Sequence, residues 1–138
     1  MLIEFSVTNF RSFRERQTLS LVATQAKELA TRNTFSTRKK SLPPLLRSAA
    51  IFGPNAGGKT NLFRAVHFMQ QAVLTAAVAG QLGQKLNVKP FVLSRKTRQS
   101  PSEFEIKFIQ DGVLYEYGLA CTESQIVREW LIAYPSGR

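Results

Sequence analysis

The chain has 138 residues, of which 43% are hydrophobic and 20% are charged, a balance typical of one folded domain with its own core. Nineteen Lys and Arg against nine Asp and Glu give a net charge of +10, which favours polyanionic partners or, alternatively, an acidic partner segment outside this chain. No apolar run approaches the roughly 20 residues that cross a membrane. A single cysteine, Cys121, excludes an internal disulfide framework, so we expect a cytoplasmic protein without a membrane partner.

Two strands are predicted at the start of the chain. LIEFSVTNF alternates apolar and polar residues, with Ile3, Phe5 and Val7 on one face, which indicates a half-buried strand. NFRSF follows as a turn, and QTLSLVA is expected to return as a second, antiparallel strand. The polar and basic residues 24–41 predict a mobile loop that ends at two prolines.

The next segment reads GPNAGGKT at residues 53–60, between a predicted strand and a predicted helix. LLRSAAIF, directly before it, is a short apolar run typical of a strand buried on both faces. After it, apolar residues recur at helical spacing up to Gly80, a candidate helix C-cap. Strand, glycine-rich loop and helix is the context in which such an octet binds phosphate.

The remainder predicts β structure. EFEIKFIQDGVLYEYGLA is expected to form a hairpin, because Asp111-Gly112 favours a type I′ turn. IVREWLIAY supplies a third strand, and Cys121 is expected to be a small buried strand residue. We find no linker and treat residues 1–138 as part of one domain. Because no closing helix follows PSGR and an apolar sheet face would remain bare, we expect this chain to be an N-terminal portion of a longer protein, which by itself would self-associate or be only marginally stable.

The octet fits the pattern G-x-x-x-x-G-K-[ST], which predicts binding of nucleotide phosphates. Glycines let consecutive backbone N–H groups point at an anion, and the following helix adds the positive end of its dipole. Lys59 is expected to reach the phosphates and Thr60 to hold Mg²⁺ through its hydroxyl. The predicted ATP-binding residues are Gly53, Pro54, Asn55, Ala56, Gly57, Gly58, Lys59, Thr60 and Asn61.

Hydrolysis needs further groups that the sequence does not offer. Phosphoryl transfer requires a carboxylate near the metal and a residue that positions water. The single Asp, Asp111, is explained by the hairpin turn, and no glutamate follows an apolar strand in the required way. Binding is therefore predicted without an identified catalytic residue.

LIEFSVTNFRSF, GPNAGGKTNL and the PFVL…PSEFEIKFIQDGVLYEYGL segment together resemble the AAA-family, ABC-type ATPases of the RloA or abortive-infection kind, which are related to RecF, SMC and OLD ATPases. The resemblance covers essentially the whole chain. It implies an α/β head in which a P-loop strand and helix join an antiparallel β lobe, so that this chain forms the N-terminal part of such a head.

The resemblance also implies a second head, because ATP in these proteins lies between the phosphate loop of one head and the signature motif of another. It places Arg11 of NFRSF near the nucleotide. The chain has no signature motif, no Walker B strand and no switch histidine, and His67 is expected to be an ordinary helix-surface residue.

Other features have both structural and functional interpretations. Basic residues could bind DNA or RNA phosphates if they share one face, or could only solubilise loops. Aromatic residues are expected to pack the β lobe, although one could stack on adenine. The basic residues are Arg32, Arg38, Lys39, Lys40, Arg47, Lys85, Lys89, Arg95, Lys96 and Arg98, and the aromatic ones are Phe10, Phe13, Tyr115, Tyr117 and Trp130.

Three functional hypotheses follow. The first is Mg·ATP binding by an ABC-type ATPase that serves nucleic-acid metabolism or phage defence, with an effector protein as a further partner. The second is an interaction module that binds nucleotide or nucleic acid without turnover. A small kinase is disfavoured, because such kinases usually place this loop close to the N-terminus.

Overall fold

A five-stranded antiparallel sheet dominates the computed structural model, which describes residues 1–26, 28–37, 42–78 and 86–135. Its strand order is β2-β1-β5-β6-β7, and a separate two-stranded sheet pairs β3 with β4. The strands are β1 (Leu2–Thr8), β2 (Gln17–Ser20), β3 (Thr34–Phe35), β4 (Leu45–Leu46), β5 (Ser102–Gln110), β6 (Val113–Cys121) and β7 (Ile126–Tyr134). The helices are α1 (Ala30–Asn33), α2 (Lys59–Val78) and α3 (Arg95–Arg98).

The predicted β structure is confirmed at both ends of the chain. β2 returns antiparallel to β1, with Phe5 opposite Leu19. β5 and β6 form the predicted hairpin, in which Asp111 and Gly112 have φ of 51° and 78°, the two positive values that a type I′ turn requires. β7 adds to the hairpin as the third strand. These elements form because alternating apolar residues flank turns of suitable chemistry.

The helix after the octet is also confirmed, and it packs against one face of the sheet. Ala65 and Met69 of α2 are buried against β1 and β5 residues such as Phe5 and Phe104. Cys121 is fully buried in the same cluster, as predicted. His67 is exposed on the helix, which was also predicted. The candidate C-cap Gly80 lies outside the described residues.

The predicted buried strand before the octet is wrong. Only Leu45 and Leu46 of LLRSAAIF form a strand, and they pair with β3. A strand in the interior of a sheet pairs with a neighbour along each edge, and no described strand pairs with residues 47–54. Ile51 is therefore 37% exposed and Phe52 90% exposed. The P-loop strand expected from the resemblance is absent from the described residues.

The loop predicted at residues 24–41 contains regular structure. α1 and β3 occupy residues 30–35, and Phe35 packs beneath the guanidinium of Arg47, which lies 5.6 Å from its ring centre. Structure forms there because Leu45 and Leu46 provide a pairing strand. Lys27 and residues 38–41 lie outside the described ranges.

The two faces of the sheet differ in chemistry. On the face opposite α2, acidic and basic side chains pair, including Arg16 with Glu105 and Arg128 with Glu103. Trp130 lies across Gly118 on that face, where a Cβ on Gly118 would be only 2.1 Å from the indole. On the helix side, an apolar groove of about 630 Å³ separates α2 from the outer strands.

A buried asparagine fixes the segment between α2 and β5. The Asn9 side chain is 3% exposed, and its amide nitrogen donates to the carbonyls of Thr97, Ser100 and Pro101 at 2.8, 2.9 and 3.2 Å. Its amide oxygen accepts the backbone N–H of Phe91 at 3.0 Å. Asn9 thereby joins segment 91–101 to the NFRSF turn.

Candidate phosphate-binding site

The octet forms a loop that leads directly into α2. Gly57 N–H donates to the carbonyl of Pro54 at 3.1 Å, which closes the first turn of the loop. Ala56 and Gly58 both have left-handed backbone conformations, with φ of 61° and 90°. Alternation of left- and right-handed residues turns successive N–H groups towards one concave side, a geometry that suits an anion.

Three consecutive donors remain available at the start of α2. Asn61 and Leu62 donate their N–H groups to the carbonyl of Gly58, at 2.9 and 3.2 Å. Among the described residues, no carbonyl accepts from the N–H groups of Gly58, Lys59 or Thr60. Unpaired N–H groups at the N-terminus of a 20-residue helix form a positive site for phosphate.

Lys59 brings a full positive charge to this loop. Its ammonium group donates to the carbonyls of Gly53 and Pro54, both at 2.7 Å. The charge is thus held over the octet rather than extended into solvent. The adjacent Thr60 is exposed on the first turn of α2, where its hydroxyl is accessible to a metal–phosphate complex.

These groups surround a cavity of about 400 Å³, which is large enough for a chain of phosphates. Among the described residues its lining contains two cations, Lys59 and Arg64, and no carboxylate. Sequence analysis did not single out Arg64, although its position four residues after Thr60 places both on one helix face. A chain of phosphates fits this donor set, because the N–H groups and cations are all complementary to phosphate oxygens.

The NFRSF turn lies directly against the octet. The Asn61 amide nitrogen donates to the Ser12 hydroxyl at 2.9 Å. Phe10 anchors the turn in the core, because its ring packs edge-on against Phe104 with centres 5.2 Å apart, and Phe68 of α2 lies 6.2 Å away. The N-terminal hairpin and the octet therefore form one structural unit.

Arg11 is an unusual residue within this turn. It has a left-handed backbone with φ of 51°, and its N–H donates to the carbonyl of Lys89 at 2.8 Å. Its guanidinium carbon is 5.4 Å from the centre of the Phe10 ring. The Nε atom is buried and has no hydrogen-bond partner among the described residues. Such an unsatisfied charged donor is rare in a folded protein.

The predicted aromatic packing is confirmed in part. Phe10 is buried in the core, with Phe13 and Tyr117 packed against it. Tyr115 stacks on Phe108 with ring centres 5.3 Å apart. Trp130 lies instead on the opposite face, with the Arg128 guanidinium 4.7 Å above its ring. None of these aromatic residues lines the octet cavity within the described ranges.

The basic residues that could have formed one nucleic-acid surface lie on different elements of the structure. Arg32 lies on α1, whereas Arg95, Lys96 and Arg98 lie on α3. Arg38, Lys39, Lys40 and Lys85 are outside the described residues. No helix in the described part of the chain is long and apolar enough to cross a membrane.

Comparison with known protein families gives one match. Residues 48–138 match the family described as AAA domain, AbiEii toxin-like, of Type IV TA systems. No curated protein matches the chain. The match starts before the octet and continues through β7, so it covers well over half of the sequence. The chain therefore belongs to this AAA-domain family and is an α/β nucleotide-binding head of the P-loop ATPase type.

Proposed function

We propose that this chain binds Mg·ATP through residues 53–61 as the N-terminal part of an ABC-type ATPase head. The observation that carries the proposal is the set of free N–H groups on Gly58, Lys59 and Thr60 at the start of α2. Lys59 would contact the phosphates as a point charge, and the Thr60 hydroxyl would hold Mg²⁺, which neutralises phosphate charge when bound.

Substitution of Lys59 tests this proposal. Lys59→Ala removes the cation of the octet, so Mg·ATP affinity is expected to fall at least tenfold, the effect of losing about 1.4 kcal/mol of binding free energy. Lys107→Ala is the matched control, because Lys107 lies on the polar sheet face near Glu4 and Glu116. Equal Mg·ATP affinity in the wild type and Lys59→Ala, measured by calorimetric titration, would refute the assignment.

Arg11 is proposed as an additional nucleotide ligand. Its buried, unpaired Nε lies in the turn that contacts the octet through Ser12, and an anion would supply the missing acceptor. Arg11→Lys keeps the charge but removes this donor, so Mg·ATP affinity is expected to fall several-fold. Unchanged affinity in a folded variant would remove Arg11 from the site.

The closer relation to RloA, RecF, SMC and OLD ATPases is part of the proposal. It implies a homodimer or higher oligomer in which a second head completes the nucleotide site. It also implies that ATP hydrolysis belongs to the complete assembly, since no carboxylate lines the octet cavity in the described residues. The family description names AbiEii-like toxins, which favours phage defence as the output over other nucleic-acid metabolism, with an effector protein as the partner. A cytoplasmic location remains a prediction.

A turnover assay separates this role from simple binding. The 138-residue chain is expected to bind Mg·ATP but release phosphate no faster than the Lys59→Ala variant, because the described lining of the octet cavity contains no carboxylate for hydrolysis. Robust Lys59-dependent hydrolysis by the chain would contradict the view that the catalytic carboxylate comes from elsewhere.

A second candidate function is nucleic-acid binding without turnover, and segment 86–101 favours it. The segment contains Lys89, Arg95, Lys96 and Arg98 and no acidic residue, and none of these cations forms an ion pair within the described chain. Asn9 holds the segment in a fixed conformation. A preorganised cationic surface loses little entropy on binding phosphate backbones.

Neutralising two cations and measuring the salt dependence of DNA binding tests this candidate. Arg95→Gln with Lys96→Gln is expected to weaken binding of labelled DNA and to reduce the log–log salt slope by about 2. Lys107→Gln with Arg128→Gln removes the same charge from the paired sheet face and serves as the control. Equal losses in both pairs would show that only net charge matters.

A further inference from the structure

Arg64 supplies the octet cavity with a cation that the motif itself does not contain. It lies four residues after Thr60 on α2, and its side chain is exposed at the cavity wall. Its Nη1 donates to the side-chain oxygen of Asn61 at 3.1 Å. This bond fixes the guanidinium at the cavity and uses one of its five N–H groups. The remaining donors have no partner among the described residues.

Asn61 is itself oriented by the N-terminal turn. Its amide nitrogen donates to the Ser12 hydroxyl at 2.9 Å, so its oxygen faces Arg64. A rotated amide would place its NH₂ group against the guanidinium, which can only donate. The donor-only guanidinium of Arg64 therefore requires the amide oxygen on its side, and the Ser12 hydroxyl accepts from the nitrogen on the other side, which holds the Asn61 amide between the two residues.

We propose that Arg64 binds the phosphates of the nucleotide, and that Ser12 and Asn61 are positioning residues that hold it in place. The inference rests on the proposed function and adds a phosphate-binding residue outside the octet, together with the two residues that position it. The described lining of the cavity offers two cations, three free N–H groups and no carboxylate, which favours a nucleoside polyphosphate over a monophosphate, because each added phosphate increases the anionic charge that they complement. Arg64 adds a planar, forked donor to the point charge of Lys59.

Binding of Mg·ATP to Arg64 variants provides the first test. Arg64→Gln is expected to weaken Mg·ATP binding about tenfold, the usual effect of losing one charge-assisted hydrogen bond. The affinity for AMP, which lacks the β- and γ-phosphates, is expected to fall much less in Arg64→Gln. Arg64→Lys should fall between the wild type and Arg64→Gln, because it keeps the charge and loses the fork. Arg128→Gln removes an equal charge from the opposite sheet face and should leave Mg·ATP binding within twofold.

The positioning role is tested by a double-mutant cycle. Ser12→Ala removes the acceptor for Asn61 and is expected to weaken Mg·ATP binding about threefold when Arg64 is present. In the Arg64→Gln background the same change should have no further effect. A purely structural role of Ser12 would instead weaken binding equally in both backgrounds. The side chains of Ser12 and Arg64 are both exposed, so the thermal unfolding midpoints of the single and double variants should stay close to that of the wild type.

The outcomes separate this inference from the proposed function. If Lys59→Ala abolishes Mg·ATP binding but the affinity of Arg64→Gln remains within twofold of the wild type, the role of Arg64 is refuted. The assignment of the phosphate loop at residues 53–61 would then be retained. If Ser12→Ala and Arg64→Gln act additively, the positioning role of Ser12 is refuted. If the wild-type chain shows no saturable Mg·ATP binding, both the proposed function and this inference fail.

Discussion

A Cβ atom on Gly58 would lie 3.0 Å from the hydroxyl oxygen of Ser12, so any side chain at this position would press against the N-terminal turn. Gly58 also has a φ of 90°, which other residues rarely adopt. The backbone conformation and the close contact therefore both favour glycine at this position. The same contact places the turn at residue 12 directly against the loop at residue 58.

Gly58→Ala is expected to destabilise the fold by about 1–3 kcal/mol and to weaken Mg·ATP binding at least tenfold, because it strains the backbone and displaces the octet from Ser12. Gly112→Ala is the matched control, since Gly112 has a φ of 78° but nothing within 4 Å of its Cβ position. That control should lose stability and keep nucleotide affinity. Chemical unfolding and calorimetric titration measure the two quantities. Loss of affinity in Gly112→Ala would show that general destabilisation explains both.

Gly118→Ala is expected to displace Trp130, whose indole lies where the new Cβ would be. We expect destabilisation of about 1–3 kcal/mol from overpacking. Trp130 is the only tryptophan of the chain, so its emission spectrum reports the displacement directly. In a Trp130→Ala background, the penalty of Gly118→Ala should largely disappear. An unchanged emission maximum and unfolding midpoint would contradict the packing described above.

Asn9→Ala is expected to destabilise the protein by about 2–4 kcal/mol, because it leaves several carbonyls of segment 91–101 and the N–H of Phe91 without their partner. Hydrogen exchange should accelerate most within residues 91–101. Asn33→Ala, an exposed substitution on α1, should change stability by less than about 0.5 kcal/mol. Uniform acceleration across the sheet would argue against a local anchoring role for Asn9.

Burial raises the pKa of the Cys121 thiol from its ordinary value of 9.0 to about 12. Because the folded state favours the neutral thiol, burial of Cys121 makes the protein progressively less stable as the pH rises from 9 towards 12. Below pH 9 the thiol is neutral in both the folded and the unfolded state, and this loss is absent. Cys121→Ala should reduce the loss of stability over that range. Native protein at pH 8.5 should react with a thiol reagent only as fast as it opens, and a rate equal to that of unfolded protein would refute burial of the thiol.

Local sequence patterns predicted the elements whose pairing is local. The β5–β6 hairpin depends on Asp111-Gly112, and α2 on periodic apolar residues, so both follow from short windows of sequence. The strand predicted before the octet failed, because its stability depends on neighbouring strands that the described residues do not provide.

Contacts between distant residues were not predictable in the same way. Ser12 and Asn61 are 49 positions apart, and Asn9 and Pro101 are 92 apart. Nothing in the sequence distinguishes Asn9 from other turn asparagines, since its importance lies in four partners that only the fold brings together. Arg64 was missed for a related reason: its role depends on the orientation of Asn61.

The central claim is that the free amides at the start of α2 bind nucleotide phosphate, and an NMR titration of isotope-labelled protein with Mg·ATP tests it most directly. We expect saturable shifts that are largest for the backbone amides of Gly58, Lys59 and Thr60, and that are absent in Lys59→Ala. The amides of Asp111 and Gly112, in the distant hairpin turn, should remain unchanged. Saturable binding that leaves the three octet amides unshifted, or no binding at all, would contradict the claim.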